Sequence, residues 1–475
     1  MIFEKVYIDG YKNLIDTSIT FKTSDIPLAI IGNNGTGKSN LIEALLHIFL
    51  GVYFNNPPSF NFQIEYEAHN KNVIIKKQKT QKNFTFYVDG NLWSNLNFRK
   101  RIREVETMPP FPALVFCYYS GTCDRTKKLI QRYNRHYQLN LRNQSTNLER
   151  LFVFSDIDQA EMCLLGLFAH RYKNLLDRLS LCGIEECRIT LMPPQTYSID
   201  KDEPFSWGTK GAIRDFLADI DNSARESYKS YSGDEYDKSS NHRTYIFNKE
   251  NLEKLGGKLE SRGTNLFSML QVLGTNMMLA DIDYKVIHAS SDARYRIDDL
   301  SEGEKQLLCV IGGIKLSQQN ECLVLLDEPD THLNPVWSWE FDSLLKDSLV
   351  ETQQKSSTVI VATHDPVLIS GLNKEQVLIA RLINGRLSYE RPIRNPRGQG
   401  VANVLTSEYF GLPSSLDKNT QDLLDERLSL AFKPEKLTQE EKERLSIINE
   451  RLEELGLSIS FRDPDYKEFE EERNR

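Results

Sequence analysis

The chain opens with an alternation of short apolar runs and turns, followed by a helical pattern. Three apolar runs indicate short strands, at residues 6–8, 19–21 and 28–31. Apolar residues then recur at helical spacing on one face, at Leu41, Leu45, Ile48 and Phe49. The last strand and this helix are joined by the sequence GNNGTGKS, from Gly32 to Ser39. The pattern therefore predicts a strand, a glycine-rich turn and a helix.

Later changes in the pattern predict four segments. Residues 1–120 continue in short apolar runs and form the first part of a head domain. Residues 121–289 are expected to form an inserted lobe, mainly helical with some strand. Residues 290–400 return to an alternation of strands and helices that would complete the sheet of the head. Residues 401–475 are expected to form a helical tail that contacts a partner or another copy of the chain.

Composition and charge limit the classes of function. The chain has 475 residues, 40% hydrophobic and 27% charged, which predicts a soluble protein of two or three packed lobes. A net charge of -8 argues against nucleic acid or an anionic membrane over the whole surface, so any nucleic-acid contact is regional. No apolar run reaches the roughly 20 residues of a membrane span, and the first residues lack signal-peptide features. We therefore expect a cytoplasmic protein with no membrane contact.

The cysteines indicate neither a disulfide framework nor a zinc site. There are seven, an odd number, and no CxxC occurs among them. Buried free thiols are the expected state.

The glycine-rich turn is the strongest chemical signal. Between a strand and a helix, its backbone N–H groups and the helix N-terminus can surround a triphosphate. Lys38 is then expected to hold the β and γ phosphates of ATP, and Ser39 to bind Mg²⁺. The other nucleotide contacts expected in this loop are Asn33, Asn34, Gly35, Thr36, Gly37 and Asn40.

An acidic pair supplies the second signal. Asp327 and Glu328 end the apolar run LVLL, where Asp327 fits a partner of Mg²⁺ and Glu328 fits the base that polarises the attacking water. A second apolar strand ends at His364, 37 residues after Asp327, and this histidine could support the γ phosphate. Taken alone, the acidic pair could be an ordinary strand end and His364 a structural residue.

The sequence DDLSEGEKQ, from Asp298 to Gln306, distinguishes the chain from other proteins with a glycine-rich phosphate loop. Ser301 and Gly303 would lie at a helix N-terminus, whose N–H groups suit a phosphate. LSEGE resembles the ABC signature motif, DEP resembles the Walker B motif, and THLN resembles the D-loop, with Asn334 where aspartate is usual. The opening EKVYIDGYKNL is similar to that of SMC and RecF-type heads, which implies that Lys12 and Asn13 contact the nucleotide.

The resemblance implies an α/β fold, a P-loop ABC-type ATPase head of mixed sheet and flanking helices. It also implies ATP hydrolysis at composite sites in a homodimer or higher oligomer. There the signature residues Ser301, Gly303 and Glu304 of one copy cover the nucleotide of the other. The 263 residues from Lys38 to Ser301 are too few for the coiled-coil arms of SMC proteins. A Q-loop glutamine is not assignable, since Tyr118, Tyr119 and Arg125 occupy the corresponding place.

Two further regions suggest partners. Residues 125–150 hold seven Lys or Arg and one acid, Glu149, with Tyr133, His136 and Tyr137 interleaved. That composition could bind nucleic acid, or it could be a solvated or partner-facing helix, which the acidic remainder of the chain favours.

The tail contains a capping box, Thr438 with Glu441, and an amphipathic helix that ends at Gly456. The helix packs either on a partner or on its own head. Acids outnumber bases by 17 to 11 in residues 415–475, which disfavours nucleic acid there. The tail also resembles the ends of anti-phage ATPases of the Septu PtuA type, which implies an HNH nuclease of the PtuB type as a partner.

Three hypotheses follow. The first is a regulatory ATPase of an anti-phage complex that controls a separate HNH nuclease. The second is an OLD-like nuclease, for which Asp463 and Asp465 form a metal-binding DxD pattern with little sequence around them to build the required domain. The third is a RecF-like clamp that closes on DNA with ATP through residues 125–150.

Overall fold

The computed structural model describes residues 1–21, 27–103, 108–121, 125–142, 150–194, 206–230, 242–289, 294–317, 321–349, 357–433 and 436–457. The strands are β1 Ile2–Asp9, β2 Thr17–Thr20, β3 Leu28–Ile31, β4 Asn61–Ala68, β5 Lys71–Lys77, β6 Thr85–Val88, β7 Asn91–Trp93, β8 Val115–Tyr119, β9 Phe152–Ser155, β10 Leu181–Leu191, β11 Glu226–Ser230, β12 His242–Phe247, β13 Leu279–His288, β14 Arg294–Tyr295, β15 Leu323–Asp327, β16 Thr358–Ala362, β17 Val377–Ile383 and β18 Arg386–Glu390.

The helices are α1 Lys38–Phe54, α2 Asn95–Arg103, α3 Arg125–Arg142, α4 Ala160–Ala169, α5 Lys173–Arg178, α6 Gly211–Ser223, α7 Lys249–Ser261, α8 Leu266–Thr275, α9 Glu302–Leu307, α10 Gly313–Ser317, α11 Pro335–Leu349, α12 Pro366–Ser370, α13 Val401–Thr406, α14 Lys418–Ala431 and α15 Gln439–Glu454. In the described part of the chain, no helix combines the length and apolar character that crossing a bilayer requires.

A seven-stranded sheet forms the centre of the head, in the order β18-β17-β3-β16-β15-β8-β9. All neighbours pair in parallel except β17 and β18, which are antiparallel. Every residue of β3 and of β15 is buried, as expected for strands covered on both faces. Helix α1 packs on β15 and β16, which places the start of α1 at the carboxyl ends of these strands. The predicted α/β fold class is confirmed.

A second, six-stranded sheet completes this part of the head, in the order β2-β1-β4-β5-β6-β7. Its pairings are antiparallel, and β4 alternates half-buried and buried residues along its whole length. Such alternation is typical of a sheet with one face on the core and one face towards solvent. Helix α2 packs on the inner face, where Phe98 stacks on Phe86 at 4.1 Å between ring centroids.

The inserted lobe has a five-stranded antiparallel sheet, β11-β12-β10-β13-β14, with helices α4 to α8. Helix α4 is apolar except for Glu161 and packs against α7 and α8. One strand inside the range assigned to this lobe belongs elsewhere, because β9 pairs with β8 in the central sheet. The four residues of β9 are too few for their apolar run to be distinguished by pattern from a buried helix segment.

The chain divides into two compact units, Met1–Gly398 and Gln399–Arg475. In the second unit, α14 and α15 pack together, and Arg444 donates two hydrogen bonds of 2.7 Å to the carboxylate of Glu426. Thr438 and Glu441 form the expected capping box at the start of α15. The amphipathic helix therefore buries its apolar side partly on α14. Asp463 and Asp465 lie outside the described residues.

Candidate nucleotide-binding site

The glycine-rich loop connects the buried strand β3 to helix α1. Gly35 and Gly37 have φ angles of +83° and +82°, a region that side chains with a Cβ rarely adopt. Space also requires glycine at position 37, because a Cβ there would lie 2.6 Å from Oδ1 of Asn13. The loop is thus a compact turn whose shape depends on the positive φ angles of Gly35 and Gly37 and on the absence of a Cβ at position 37. Asn33, Asn34 and Gly35 are its exposed residues, while the hydroxyl of Thr36 donates to the carbonyl of Asn33 at 2.7 Å.

The turn after β1 holds the loop in place. The amide of Asn13 donates to the carbonyl oxygen of Gly35 at 3.1 Å, and its Oδ1 accepts from the amide of Asn40 at 2.7 Å. The neighbouring Lys12, at a φ of +51°, forms an ion pair with Glu43 of α1. Asn13 therefore contacts the loop directly, whereas the ammonium of Lys12 is directed to the helix.

Lys38 lies inside the loop. Its side chain is buried, and Nζ donates to the carbonyl oxygen of Gly32 at 2.7 Å. Burial lowers the pKa of Lys38, although the negative charges of Glu328 and Asp327 oppose this shift. A buried ammonium is stabilised by an anionic partner that offsets its desolvation, so the loop suits a phosphate group.

Ser39 and Asp327 bring oxygen ligands together beside the loop. The hydroxyl of Ser39 donates to Oδ1 of Asp327 at 3.0 Å. Asp327 is 3% exposed at the end of β15, and burial raises its pKa to about 7. A buried carboxyl with a raised pKa gains from a cation, and Mg²⁺ prefers oxygen ligands with one or two carboxylates and substrate phosphates. These two residues therefore fit Mg²⁺ bound together with a triphosphate.

Glu328 and His364 follow the adjacent parallel strands β15 and β16. Nδ1 of His364 lies 3.4 Å from Oε1 of Glu328, and both side chains are accessible to solvent. Glu328 has a φ of +51°, an uncommon angle for a residue with a side chain, and its N–H donates to the carbonyl of Ala362 at 2.8 Å. The neighbouring strand thus holds a strained turn that presents a carboxylate at the edge of the sheet.

The sequence analysis missed Asp330, the last acid of DEPD. Asp330 is buried, accepts a hydrogen bond from the hydroxyl of Thr363, and has a pKa raised by burial to about 6. This bond joins the turns that follow β15 and β16. The position of Asp330 in the motif was the available signal, but only the first two acids were assigned a role.

The signature residues Ser301, Gly303 and Glu304 lie at the start of α9. The hydroxyl of Ser301 accepts from the backbone N–H of Glu304 at 3.3 Å, and Glu304 Oε2 accepts from the N–H of Ser301 at 2.7 Å. Ser301 is exposed, whereas Gly303 is buried so closely that a Cβ would lie 2.5 Å from the carbonyl oxygen of His332. Among the described residues, no hydrogen bond or ion pair joins these three residues to the glycine-rich loop of the same chain.

Gln306 links the signature helix to the acidic turn, and the sequence analysis assigned it no role. Its side chain is completely buried. Nε2 donates to the backbone carbonyl of Glu328 at 3.2 Å, and Oε1 accepts from the backbone N–H of His332 at 3.0 Å. One amide therefore fixes α9 relative to both Glu328 and the D-loop. Its proximity to the signature motif was the only signal in the sequence.

The basic stretch 125–150 lacks the exposed tyrosines that the nucleic-acid interpretation of this stretch would use for stacking. Tyr133 and Tyr137 of α3 are buried in the core, and His136 is partly buried. Arg150 is buried as well and donates to the side chains of Gln271 and Asn134 at 3.0 and 2.7 Å. Helix α3 therefore turns its aromatic side inward.

The proposed substitutes for a Q-loop glutamine lie on and after β8. Tyr118 is buried, and Tyr119 pairs with Asp327 in the sheet. The side chain of Arg125 lies outside the described residues.

Comparisons with known proteins match parts of this chain. A family model described as "AAA domain, putative AbiEii toxin, Type IV TA system" matches residues 173–370, which include the signature residues, the acidic turn and His364. The Septu protein PtuA of Bacillus mycoides (strain KBAB4) is 27% identical over 34% of this chain and 24% of its own length. The Retron Vc95 probable ATPase of Vibrio cholerae serotype O1 biovar El Tor is 29% identical over 26% of this chain and 25% of its own length.

The chain thus spans about a quarter of the length of these curated relatives. Two solved structures are also similar to the chain: an SMC head bound to the C-winged helix domain of ScpA, and the recombination mediator protein RecF with ATP. The SMC head matches 82% of this chain and 98% of its own length, with a TM-score of 0.38 and 15% identity. The RecF structure matches 82% of this chain and 97% of its own length, with a TM-score of 0.31 and 13% identity. The assignment to the α/β class is based on the strand order of the central sheet. Residues 173–370 of the chain are thus similar to an AAA domain, and parts of the chain are similar in sequence to a Septu protein and to a probable retron ATPase.

Proposed function

We propose that the chain binds ATP with Mg²⁺ in the glycine-rich loop and hydrolyses it to ADP and phosphate. The observation that carries this proposal is the meeting of three elements at one edge of the central sheet. The buried ammonium of Lys38 lies in the loop, Ser39 contacts Asp327 at 3.0 Å, and the Glu328 carboxylate faces His364 at 3.4 Å.

Each residue has a chemical role in this proposal. Lys38 holds the β and γ phosphates and neutralises the charge that develops on them. Glu328 accepts a proton from the attacking water, whose oxygen bonds to the γ phosphorus as the bond to the bridging oxygen breaks. His364 positions the Glu328 carboxylate and supports the γ phosphate. Mg²⁺, held by Ser39 and Asp327, would supply charge neutralisation of the phosphate oxygens.

The active form in this proposal is a homodimer or a higher oligomer. Ser301 is exposed at the start of a helical segment that continues through a π-helical turn, Leu308–Gly312, to Ser317. Its N–H groups can therefore receive the γ phosphate of a nucleotide held by a second copy. Oligomerisation would then complete the nucleotide site.

The biological role in this proposal is a cytoplasmic regulatory subunit of a bacterial anti-phage complex, which controls a separate HNH nuclease of the PtuB type. Its support is the sequence similarity to a Septu protein and a retron ATPase. The alternative of a RecF-like DNA clamp through residues 125–150 has less support, because Tyr133 and Tyr137 are buried. The OLD-like nuclease depends on Asp463 and Asp465, which lie outside the described residues.

The test is to express the chain together with the proteins encoded beside its gene and to purify it by a tag. We expect an HNH protein to be retained and its nuclease activity to change with ATP. In the Lys38→Ala variant the partner should remain bound, while the effect of ATP should be lost. If no neighbouring protein is retained and nuclease activity is unchanged by ATP, the regulatory role is wrong.

A further inference from the structure

Residues 71–103 form a strongly basic region of the head, although the chain as a whole is acidic. This range contains nine Lys or Arg residues and one acid, Asp89, a net charge of +8 within a total of -8. It folds into β5, β6, β7 and α2, none of which contributes a residue to the nucleotide-binding site. Such a local concentration of positive charge attracts a polyanion.

The outer face of the sheet in this region combines a cation with an aromatic ring. Antiparallel pairing places Tyr87 of β6 directly opposite Leu92 of β7. Nζ of Lys76 lies 4.8 Å from the centre of the Tyr87 ring. Leu92 is 68% exposed. A partly exposed ring beside an exposed apolar side chain and an ammonium suits a base with its adjoining phosphate.

An open cavity of about 600 Å³ continues this face around the edge of the sheet. β7 is the last strand, and the cavity lies between it and α2. Its lining consists of Asn91, Leu92, Trp93, Asn97, Lys100 and Arg101. Lys100 and Arg101 are exposed cations, and the two asparagines supply amide donors and acceptors. The volume is in the range of sites for ligands about as large as a nucleotide.

We propose that this sheet-edge surface, formed by Lys76, Tyr87, Leu92, Trp93, Lys100 and Arg101, binds single-stranded nucleic acid. The cations contact phosphates, while Tyr87 and Trp93 contact bases. A duplex hides its base faces in the stack, so the ring of Tyr87 and the side chain of Leu92 favour unpaired bases. An acidic protein would use the cations but would leave the rings and the amides of Asn91 and Asn97 without a specific role. This inference goes beyond the proposed ATPase and concerns a different face.

The test is fluorescence anisotropy of the full chain with labelled strands of mixed sequence, about 12 nucleotides long. Single-stranded DNA and single-stranded RNA are measured separately, at several salt concentrations and with or without ATP. Lys100→Glu combined with Arg101→Glu should lower affinity by about tenfold or more and weaken its salt dependence. Tyr87→Ala should lower affinity by about five- to a hundredfold, because base stacking is lost.

A matched control lies on α3, where Lys128 and Arg135 are also exposed. Lys128→Glu combined with Arg135→Glu changes the net charge by the same amount and should leave affinity within about twofold of the parent. Thermal unfolding and ATP binding, measured on every variant, establish that the fold is retained. Lys38→Ala should still bind single strands, so failure of the nucleotide site and failure of this surface are distinguishable.

Three results would overturn the proposal. The first is no binding of either type of strand by the parent chain at low salt. The second is an equal loss of affinity in the α2 and α3 double variants, since the effect would then depend on total charge alone. The third is competition by an acidic peptide as effective as that of unlabelled single strands, which would assign the surface to a protein. Preference for DNA or for RNA identifies the natural ligand and supports the proposal in either case.

Discussion

Ser39 and Asp327 are 288 positions apart in the sequence, yet the Ser39 hydroxyl donates to the Asp327 carboxylate at 3.0 Å. The contact joins the first turn of α1 to the end of β15. Burial raises the pKa of this carboxyl to about 7, and the hydrogen bond from Ser39 opposes that shift.

The raised pKa predicts a dependence of stability on pH. The folded chain retains a proton on Asp327 up to about pH 7. The unfolded chain releases it near pH 4. The folded state thus binds more protons in this window, so the free energy of unfolding should fall as pH rises from about 4 to about 7. Asp327→Asn should reduce this fall, to which the raised pKa of Asp330 also contributes, and should be on the order of 2–4 kcal/mol more stable than the parent at pH 8.

Unfolding is followed by circular dichroism at a series of pH values, without nucleotide and with a chelator. Asp347→Asn, at an exposed position of α11, is the matched control and should follow the parent. Parallel pH profiles for the parent and Asp327→Asn would contradict the prediction.

Lys38→Ala should weaken ATP binding about a hundredfold or more, equivalent to about 2.7 kcal/mol. Among the described residues, the buried ammonium of Lys38 is the one side-chain cation that contacts carbonyl oxygens of the loop. Isothermal titration with ATP and Mg²⁺ measures the effect. Lys254→Ala, at an exposed position of α7, should bind ATP as the parent does. Equal affinities for Lys38→Ala and Lys254→Ala would exclude the assigned phosphate site.

Glu328→Gln should lower kcat for ATP hydrolysis by about 10²–10⁴ while ATP binding persists, because an amide cannot accept the proton of the attacking water. ATP should then accumulate in a closed dimer, which sedimentation velocity would detect as a shift to a larger species. Hydrolysis at the parent rate would mean that another group is the base.

Gln306→Leu tests whether the amide that joins α9 to the acidic turn affects catalysis. The substitution removes the hydrogen bonds to the Glu328 carbonyl and from the His332 N–H, and should lower the free energy of unfolding by about 1–3 kcal/mol. We also expect kcat to fall about tenfold with little change in KM, since the position of Glu328 changes while the phosphate loop does not.

Gln376→Leu is the matched control. Gln376 is likewise buried and forms two backbone hydrogen bonds, to the Pro27 carbonyl and from the Asn373 N–H. Gln376→Leu should destabilise the fold to a similar degree as Gln306→Leu, without a comparable loss of kcat. The same kcat in both variants would reduce Gln306 to a purely structural role.

Gly303→Ala should destabilise the chain, because the added Cβ would lie 2.5 Å from a backbone oxygen, that of His332. Gly257→Ala provides the opposite case within helix α7. No atom lies within 4 Å of a Cβ at Gly257, so alanine should stabilise that helix by about 0.5–1 kcal/mol. Thermal unfolding of both variants gives the comparison, and stabilisation by Gly303→Ala would refute the close packing of α9 on the D-loop.

The sequence revealed those features that depend on local pattern. The apolar runs at 28–31 and in LVLL became buried parallel strands, and Thr438 with Glu441 became a helix cap. Features that depend on contacts between distant segments were not predicted from the sequence. Gln306 has no local signal for the two backbone groups that it joins. In α3 the spacing of Ile130, Tyr133 and Tyr137 does predict one apolar face, but the sequence analysis considered only the composition of residues 125–150 and did not place these tyrosines in the core.

The position of β3 in the central sheet has a consequence for synthesis. Both of its neighbours, β16 and β17, come from beyond residue 357, although β3 itself begins at Leu28. A nascent or prematurely terminated chain that stops before Thr358 leaves this apolar strand without either hydrogen-bonding neighbour. Such a product exposes an aggregation-prone edge and lacks the support for its phosphate loop. The chain should therefore become able to bind ATP only late in its synthesis. Truncated products should be bound by chaperones or degraded by proteases and should not compete for ATP.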